Sequence, residues 1–541
     1  MIQNSLGIKY SDRIQGETAE NLETAIAYYT EALSVRTRKA FPQQWAMTQV
    51  NLGAAYSNRI QGETAENIET AIACYTKALS VRTPKDFPQD WATTQMNLGT
   101  AYSDRIQGEK AENIETAIAC YTEALSVRTP KDFPQDWATT QMNLGSAYLE
   151  RIQGEKAENI ETAITCYTEA LSVLTPKDFP QDWATTQMNL GSAYLERIQG
   201  EKAENLETAI ACYTEALSVR TRNAFPKDWA TTQINLGSAY GVRIQGEKAE
   251  NLETAIACYT EALSVYTRNA FPQYWATTQM NLGTAYGDRI QGETAENIET
   301  AIACYRNALE VYQPQAFPLD CLKTGRSLGN LGYNTEQWET AIQGYGVAIE
   351  AVEQLCEWVS SPRRRQQVLV DALDVYEKMV QACLKAGRED LALTTIERSK
   401  SRSLVQMITD ITLEPKTASD EQLQRFRGLR RQLLVLSQLW EGEIIDSSSG
   451  DDLTPQPPSL RGNGEQEVSV SGDFPQVPLS NGDLGGSPQV KPDLGGSANI
   501  NLGSNLNTQR QNLQQQLNSL QVEEFTPTES VLSEFTQRKQ F

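Results

Sequence analysis

The chain of 541 residues contains no histidine. That absence removes Ser–His–Asp and Cys–His activation of a nucleophile, imidazole metal ligation and imidazole acid–base chemistry. Long apolar runs are missing as well. No stretch approaches ~18 apolar residues and no apolar signal core follows the N-terminus, so neither membrane insertion nor secretion is expected. Positive charge is scarce: 47 Lys and Arg stand against 69 Asp and Glu, a formal net charge of −22. The one basic run, Arg363 to Arg365, reads as the solvated start of a helix after Pro362. Nucleic acid demands clustered Lys and Arg on its phosphates, so it is not an expected partner. Of nine cysteines, Cys74, Cys120, Cys166, Cys212, Cys258 and Cys304 share one position of a repeating unit. Equivalent positions of successive units lie one unit apart in space. These cysteines therefore read as small buried thiols of a cytoplasmic, reducing compartment rather than as metal ligands. No metal or cofactor is expected.

What the chain does have is a repeat. A Leu-Gly pair stands at Leu6/Gly7, Leu52/Gly53, Leu98/Gly99, Leu144/Gly145, Leu190/Gly191, Leu236/Gly237 and Leu282/Gly283, a step of 46 residues, and more weakly at Leu328/Gly329. Periods of this size mean solenoids or arrays. Ile160, Ala163, Ile164, Tyr167, Ala170 and Leu171 fall on one face of an α-helix, and Trp137, Leu144, Tyr148 and Ile152 do so on the helix before it. Gly145, Ala147 and Ala163 are small where two helices must approach. Pro134 suits a first helical turn and Asp136 complements the helix dipole there. Gly154 is placed to close the helix in a left-handed conformation, and Thr129-Pro130 stops the second helix of the pair.

From Leu98 the landmarks Tyr102, Ala117, Tyr121, Ala124 and Leu144 follow at steps of 4, 15, 4, 3 and 20. In order and in within-helix spacing these residues resemble the tetratricopeptide repeat, a helix–turn–helix of about 34 residues, lengthened by about six residues at each of its two loops. The unit is similar to the long, Trp-containing tetratricopeptide repeats (FPQxWAxTQxNLGxAY) of bacterial multidomain proteins. The expected fold is all-α: an α-solenoid of such helix pairs, followed by a helical hairpin interrupted by a disordered tract. Seven long repeats occupy 1–326. Two irregular pairs fill 327–415, the first on Leu328, Ala341, Tyr345 and Ala348, the second on Met379, Cys383, Ala392 and Ile396 around the turn AGRED. The first unit lacks the FPQxWA opening, so either another segment caps it or the natural protein starts further upstream.

Within 327–415 the segment LALTTIERSKSRSLVQMI, from Leu391, resembles the lead-in to the CHAT domain, a caspase-like cysteine peptidase fold. In that family a helical hairpin and an α/β catalytic domain with His and Cys come next. Here a coiled-coil-type helix is expected over 416–441, on Phe426, Leu429, Leu433, Leu436 and Trp440. A Gly/Ser/Pro/Asp-rich tract over 442–505 is expected to be disordered, because it cannot bury enough apolar surface to offset its ordering entropy. A short helix and tail occupy 506–541, and no catalytic domain with His follows.

By the same resemblance the first helix of each pair lines a concave groove that takes partner segments. Asn51, Asn97, Asn143, Asn189, Asn235 and Asn281, one per repeat, face it. An amide offers both donor and acceptor to an extended backbone; the other reading is that each Asn bonds the neighbouring repeat. Thr93, Thr139, Thr185, Thr231 and Thr277 lie about one turn earlier and flank the groove. Arg59, Arg105, Arg151, Arg197, Arg243 and Arg289, in RIQG, read as local partners of helix-end carbonyls or of acids in the long turn. The Trp series from Trp45 to Trp275 reads as inter-repeat core. The implied function is a non-enzymatic scaffold binding an extended or basic protein segment, with a CHAT-type peptidase module a candidate partner. The rival is a fragment of a CHAT peptidase whose catalytic part lies outside this chain.

Overall fold

The computed structural model describes residues 2–13, 15–359 and 362–409, and among them all regular structure is helical. The segments 416–441, 442–505 and 506–541, for which a coiled-coil-type helix, a disordered tract and a tail are expected, lie outside the described residues. The chain divides into two compact units, one running to Cys304 and the other beginning at Tyr305. The helices pair in order. They are α1 (Ile2–Ser11) with α2 (Thr18–Val35), α3 (Pro42–Ser57) with α4 (Thr64–Leu79), and α5 (Pro88–Ser103) with α6 (Lys110–Leu125). Next come α7 (Pro134–Leu149) with α8 (Lys156–Leu171), and α9 (Pro180–Glu196) with α10 (Lys202–Val219). The last long pairs are α11 (Pro226–Gly241) with α12 (Lys248–Leu263), and α13 (Pro272–Gly287) with α14 (Thr294–Leu309). The second unit adds α15 (Pro318–Asn334), α16 (Trp338–Trp358), α17 (Pro362–Asp371), α18 (Leu373–Lys385) and α19 (Glu389–Thr409), the last spanning the ERSKSRSLV segment.

Local chemistry sets the ends. From α3 to α13 each first helix starts on a proline at its first position, where a missing N–H costs nothing. The helix before each loop ends sooner than the apolar pattern suggests. Ile152 is not on the Trp137–Leu144–Tyr148 face, because α7 stops at Leu149 and Ile152 is 42% exposed in the turn. An apolar residue at the right spacing marks a helix face only while the helix continues. Gly154 does adopt the left-handed conformation expected of it, φ +80°, but inside that turn rather than at the helix end.

Glycine decides how closely a pair packs. A Cβ added at Gly145 would sit 2.8 Å from Tyr167 Cε1, so the bare backbone of α7 is where the α8 ring lies. Around that contact the interior is shared between repeats. Met96, Ile114, Ala117, Ile118 and Tyr121 pack with Leu144, Ala147 and Cys166 of the following pair. The described thiols are all free and buried, and burial, and then Glu169, push Cys166 up to about 12. Tryptophan divides. Trp91 and Trp183 are buried, Trp183 against Ala138, Ala170, Leu174 and Ala216, whereas Trp45, Trp137, Trp229 and Trp275 are half-buried. Arg38, Arg222 and Arg268 lie over three of these half-buried rings at 5.8–6.0 Å.

In the second unit the loop between α15 and α16 is short, and Glu336 in it takes φ +57°. Gly325, Gly329, Gly332 and Gly344 bring the two backbones together: a Cβ at Gly332 would stand 2.5 Å from Ala341 N. Ala341, Tyr345, Ala348, Val352, Val375, Tyr376, Met379, Cys383 and Ala392 form one core. Ile396 does not join it fully, being 36% exposed.

Candidate functional site

The register of the first helices fixes which residues could meet a partner. Gly99 touches Tyr121 of α6, so that side of α5 faces the second helix. Asn97 stands two residues earlier, about 200° round the helix, and thus on the opposite side. Thr93, Asn97, Thr100 and Asp104 follow at spacings of 4, 3 and 4 and share that stripe. The next helices repeat it as Thr139, Asn143, Ser146, Glu150, then Thr185, Asn189, Ser192, Glu196, then Thr231, Asn235, Ser238, Val242. In α13 the stripe is Thr277, Asn281, Thr284 and Asp288, and in α3 it is Met47, Asn51, Ala54 and Asn58.

The members of the stripe differ in how they are tied down. The Thr93 hydroxyl accepts from Arg128 Nη2 at 2.7 Å and Thr185 from Arg220 Nη2 at 2.8 Å, while Thr231 pairs with the Tyr266 hydroxyl at 2.5 Å. Thr139 has Leu174 where Thr93 has Arg128, and Thr277 is 8% exposed. Ser146, Ser192 and Ser238 pair with Tyr167, Tyr213 and Tyr259 at 3.0–3.1 Å. The asparagines are different. Asn51, Asn97, Asn143 and Asn189 are half-buried, Asn235 and Asn281 are 5% and 4% exposed, and among the described residues no hydrogen bond reaches any of the six side chains.

The RIQG arginines act between repeats. Arg105 forms a two-pronged pair with Glu69 of the preceding second helix, Nε–Oε1 2.6 Å and Nη2–Oε2 3.0 Å, and lies 5.5 Å over Tyr102. Its Nη1 also donates to Asn113 Oδ1 at 3.3 Å, and the Asn113 amide donates to Gln107 O at 2.9 Å, which fixes the loop. Arg59–Glu23, Arg151–Glu115, Arg197–Glu161, Arg243–Glu207 and Arg289–Glu253 repeat the pair at 2.7 Å. The acid expected in the arginine's own turn is therefore supplied by its neighbour. Hydrogen bonding to Arg243 and Arg289 holds the Glu207 and Glu253 carboxyls below their ordinary range.

A second arginine row went unread in the sequence. Arg82, Arg128 and Arg220 are buried and donate to Thr94, Thr140 and Thr232 of the next first helix at 2.9–3.2 Å; half-buried Arg36 does the same to Thr48. The Arg128 side chain is fully enclosed, with Asp136 Oδ2 at 3.7 Å. Its signal was present as an Arg at a fixed step, interrupted by Leu174 and Tyr266. Among the described residues no cluster could hold a metal ion and no helix is long and apolar enough to cross a membrane.

Comparison with known families finds a tetratricopeptide repeat over residues 91–134 and Sel1 repeats over 46–80, 138–172, 184–218 and 276–310. A search of the curated proteins returns no match. Similar solved structures include a Rap protein complexed with competence and sporulation factor, at 12% identity over 75% of this chain and 98% of that one, with a TM-score of 0.38. The TPR2AB domain of yeast Sti1 in a pHSP90 complex is similar at 15% identity over 63% and 97%, TM-score 0.20. The Cut9–Hcn1 hetero-tetramer of the APC/C is similar at 13% identity over 84% of each chain, TM-score 0.26. The chain thus carries tetratricopeptide and Sel1 repeats over those stretches.

Proposed function

We propose that this repeat protein is a non-enzymatic scaffold of the cytoplasm whose first-helix stripes hold an extended or basic segment of another protein. The observation that carries the reading is the asparagine row at one register, in which Asn281 Nδ2 is enclosed with no hydrogen-bond partner among the described residues. An enclosed amide left unpaired forfeits hydrogen bonds it would make with water or a ligand. A row of them at one register suits the alternating N–H and C=O groups of an extended backbone. Arg59 and its equivalents are excluded from ligand duty because each is engaged by a neighbouring Glu and Asn. The peptidase alternative rests on the ERSKSRSLV segment of α19 and would draw its catalytic groups from outside this sequence. Cys321, pushed up to about 12 by burial and then by Glu350 and Asp320, lacks the depressed pKa of a nucleophile.

The test is selection of extended peptides on the wild-type protein from a random library, followed by affinity measurement on the Asn97→Ala, Asn143→Ala, Asn189→Ala triple variant. Two amide hydrogen bonds lost are expected to weaken the selected peptides by about tenfold or more. A folded variant that binds them at full strength assigns the row to structure and overturns the reading.

A further inference from the structure

Each second helix carries three small or apolar places in a fixed order: Ala117, Ile118 and Tyr121 in α6, then Ala163, Ile164 and Tyr167 in α8. In α16 the same places are Ala341, Ile342 and Tyr345, and in α19 they are Ala392, Leu393 and Ile396. The first helix of the following pair is what covers them. Ile118 and Tyr121 pack with Leu144 and Ala147 of α7, and Ile164 and Tyr167 with Leu190 and Ala193 of α9. Within the second unit, Ile342 and Tyr345 pack with Val375, Tyr376 and Met379 of α18. All six of these large side chains are buried.

The helix α19 departs from this. Ala392 is buried, but Leu393 is 58% and Ile396 36% exposed. Thr394 is exposed as well, yet its counterparts Ala119 and Thr165 are exposed even where a following helix is present. The apolar residues left open are therefore the two that a next first helix would fill.

We infer that this face of α19 is covered by the chain's own segment 416–441, seated as the first helix of a further layer. The inference does not rest on the groove reading. The segment lies outside the described residues and is read from its sequence. Phe426, Leu429, Leu433, Leu436 and Trp440 form one apolar seam, which must be buried against another element. Consecutive elements of a chain are ordinarily neighbours in space, and α19 ends at Thr409, far enough before Phe426 for the chain to turn back. The charges agree. The segment holds five bases, Lys416, Arg425, Arg427, Arg430 and Arg431, against three acids, Asp420, Glu421 and Glu441, in a chain of net charge −22. On α19 the exposed acids Glu389, Asp390 and Glu397 stand three or four residues from Leu393, as its neighbours on the helix surface. An apolar strip bordered by carboxylates thus meets an apolar seam bordered by arginines.

Hydrogen exchange on the full chain, resolved by segment and read at two protein concentrations, tests the docking. The proteins compared are wild type, Leu393→Glu/Ile396→Glu, Leu429→Glu/Leu433→Glu and Thr394→Glu. In the wild type, the 416–441 segment should exchange at least about tenfold more slowly than the same sequence as a free peptide. Both double variants should abolish that protection. The seam variant leaves α19 itself unaltered and should still speed exchange across 389–398, so a direct effect of the first variant on α19 cannot mimic the result. Thr394→Glu should change neither segment, because that position stays open in covered helices. Free-peptide rates in the wild type overturn the inference. So does protection that survives Leu393→Glu/Ile396→Glu, which would place the seam on another surface, such as the one offered by Leu506, Leu513, Leu517 and Leu520. Protection that grows with protein concentration would assign the face to a second copy of the chain instead.

Discussion

The two units solve one problem, bringing two helices into contact, with one device in common and one that only the second shows. In the first, a glycine on one helix receives a tyrosine ring from the other, and long loops are pinned by Arg, Asn and Glu side chains. In the second, Gly329 receives the Tyr345 ring in the same way, but Gly325 and Gly344 add backbone against backbone across α15 and α16, and a short loop closes the pair. Side-chain contacts can be exchanged one at a time, so the first unit can repeat seven times with drifting loop chemistry: Thr83-Pro-Lys-Asp in one place, Thr221-Arg-Asn-Ala in another. Backbone contacts admit no such drift. The difference teaches where each unit tolerates change.

The largest effect should come from the buried arginine row, because the chain carries its own control. Arg128→Ala removes an enclosed guanidinium and leaves Thr140, Thr93 and Asp136 without it, which is expected to cost about 3–5 kcal/mol. Arg128→Leu should cost less than ~1.5 kcal/mol, since Leu174 fills the same position one repeat on, among Ala138, Ala170, Trp183 and Ala216. Denaturant unfolding of both variants reads the comparison. If leucine is as damaging as alanine, the first unit is not built from interchangeable side-chain solutions.

The complementary substitution sharpens the other side. Gly344→Ala drives a Cβ into the Gly329 amide nitrogen and to 2.7 Å from the Gly325 carbonyl oxygen, where only backbone could yield. Gly145→Ala meets a ring edge at 2.8 Å that can tilt away. Expected losses are about 3 kcal/mol for the first and about 1 kcal/mol for the second, the two ends of the overpacking range. Hydrogen exchange resolved by segment should place each loss in its own unit. Equal losses would mean that the ring in the first unit is held as rigidly as backbone.

How much of this was readable in the residues depends on whether a feature is local. The period, the helix pairs and the close approach at Gly145 follow from spacing and residue size, and both are written directly in the chain. The face carrying Asn97 was readable too, because Gly99 and Asn97 cannot share a side of a helix. The partner of Arg105 was not. Each repeat offers acids at equivalent places, Glu66 and Glu69 in one and Glu112 and Glu115 in the next, and sequence alone cannot say that the guanidinium reaches back rather than across its own turn. Nor could Ile152 be told from a helical residue, since the pattern continues one turn beyond the hydrogen bonds. The buried arginines were hidden for a third reason: a charged residue at a helix end reads as solvated until something is found to enclose it.

The smallest expected effect lies in the groove and has a definite sign. Asp104 is pushed up to about 7 from 3.8 by burial and then by Glu150. The folded protein therefore holds this proton more tightly than the unfolded chain does. Between about pH 4 and pH 7 the native state binds more protons, so this group's contribution to stability falls as pH rises through that window and is level above it. For a half-buried carboxylate, partly screened by water, the change should be about 1 kcal/mol or less. Asp104→Asn removes the titration, so the difference in melting temperature between variant and wild type should grow from pH 5 to pH 8 in favour of the variant. Asp288→Asn is the matched substitution, because Asp288 holds the same place in α13 while the residue one period further along is the neutral Asn334 rather than a carboxylate. Its difference from wild type should vary less over the same range. A flat profile for Asp104→Asn would mean that neither burial nor the Glu150 carboxylate raises this group in the folded protein.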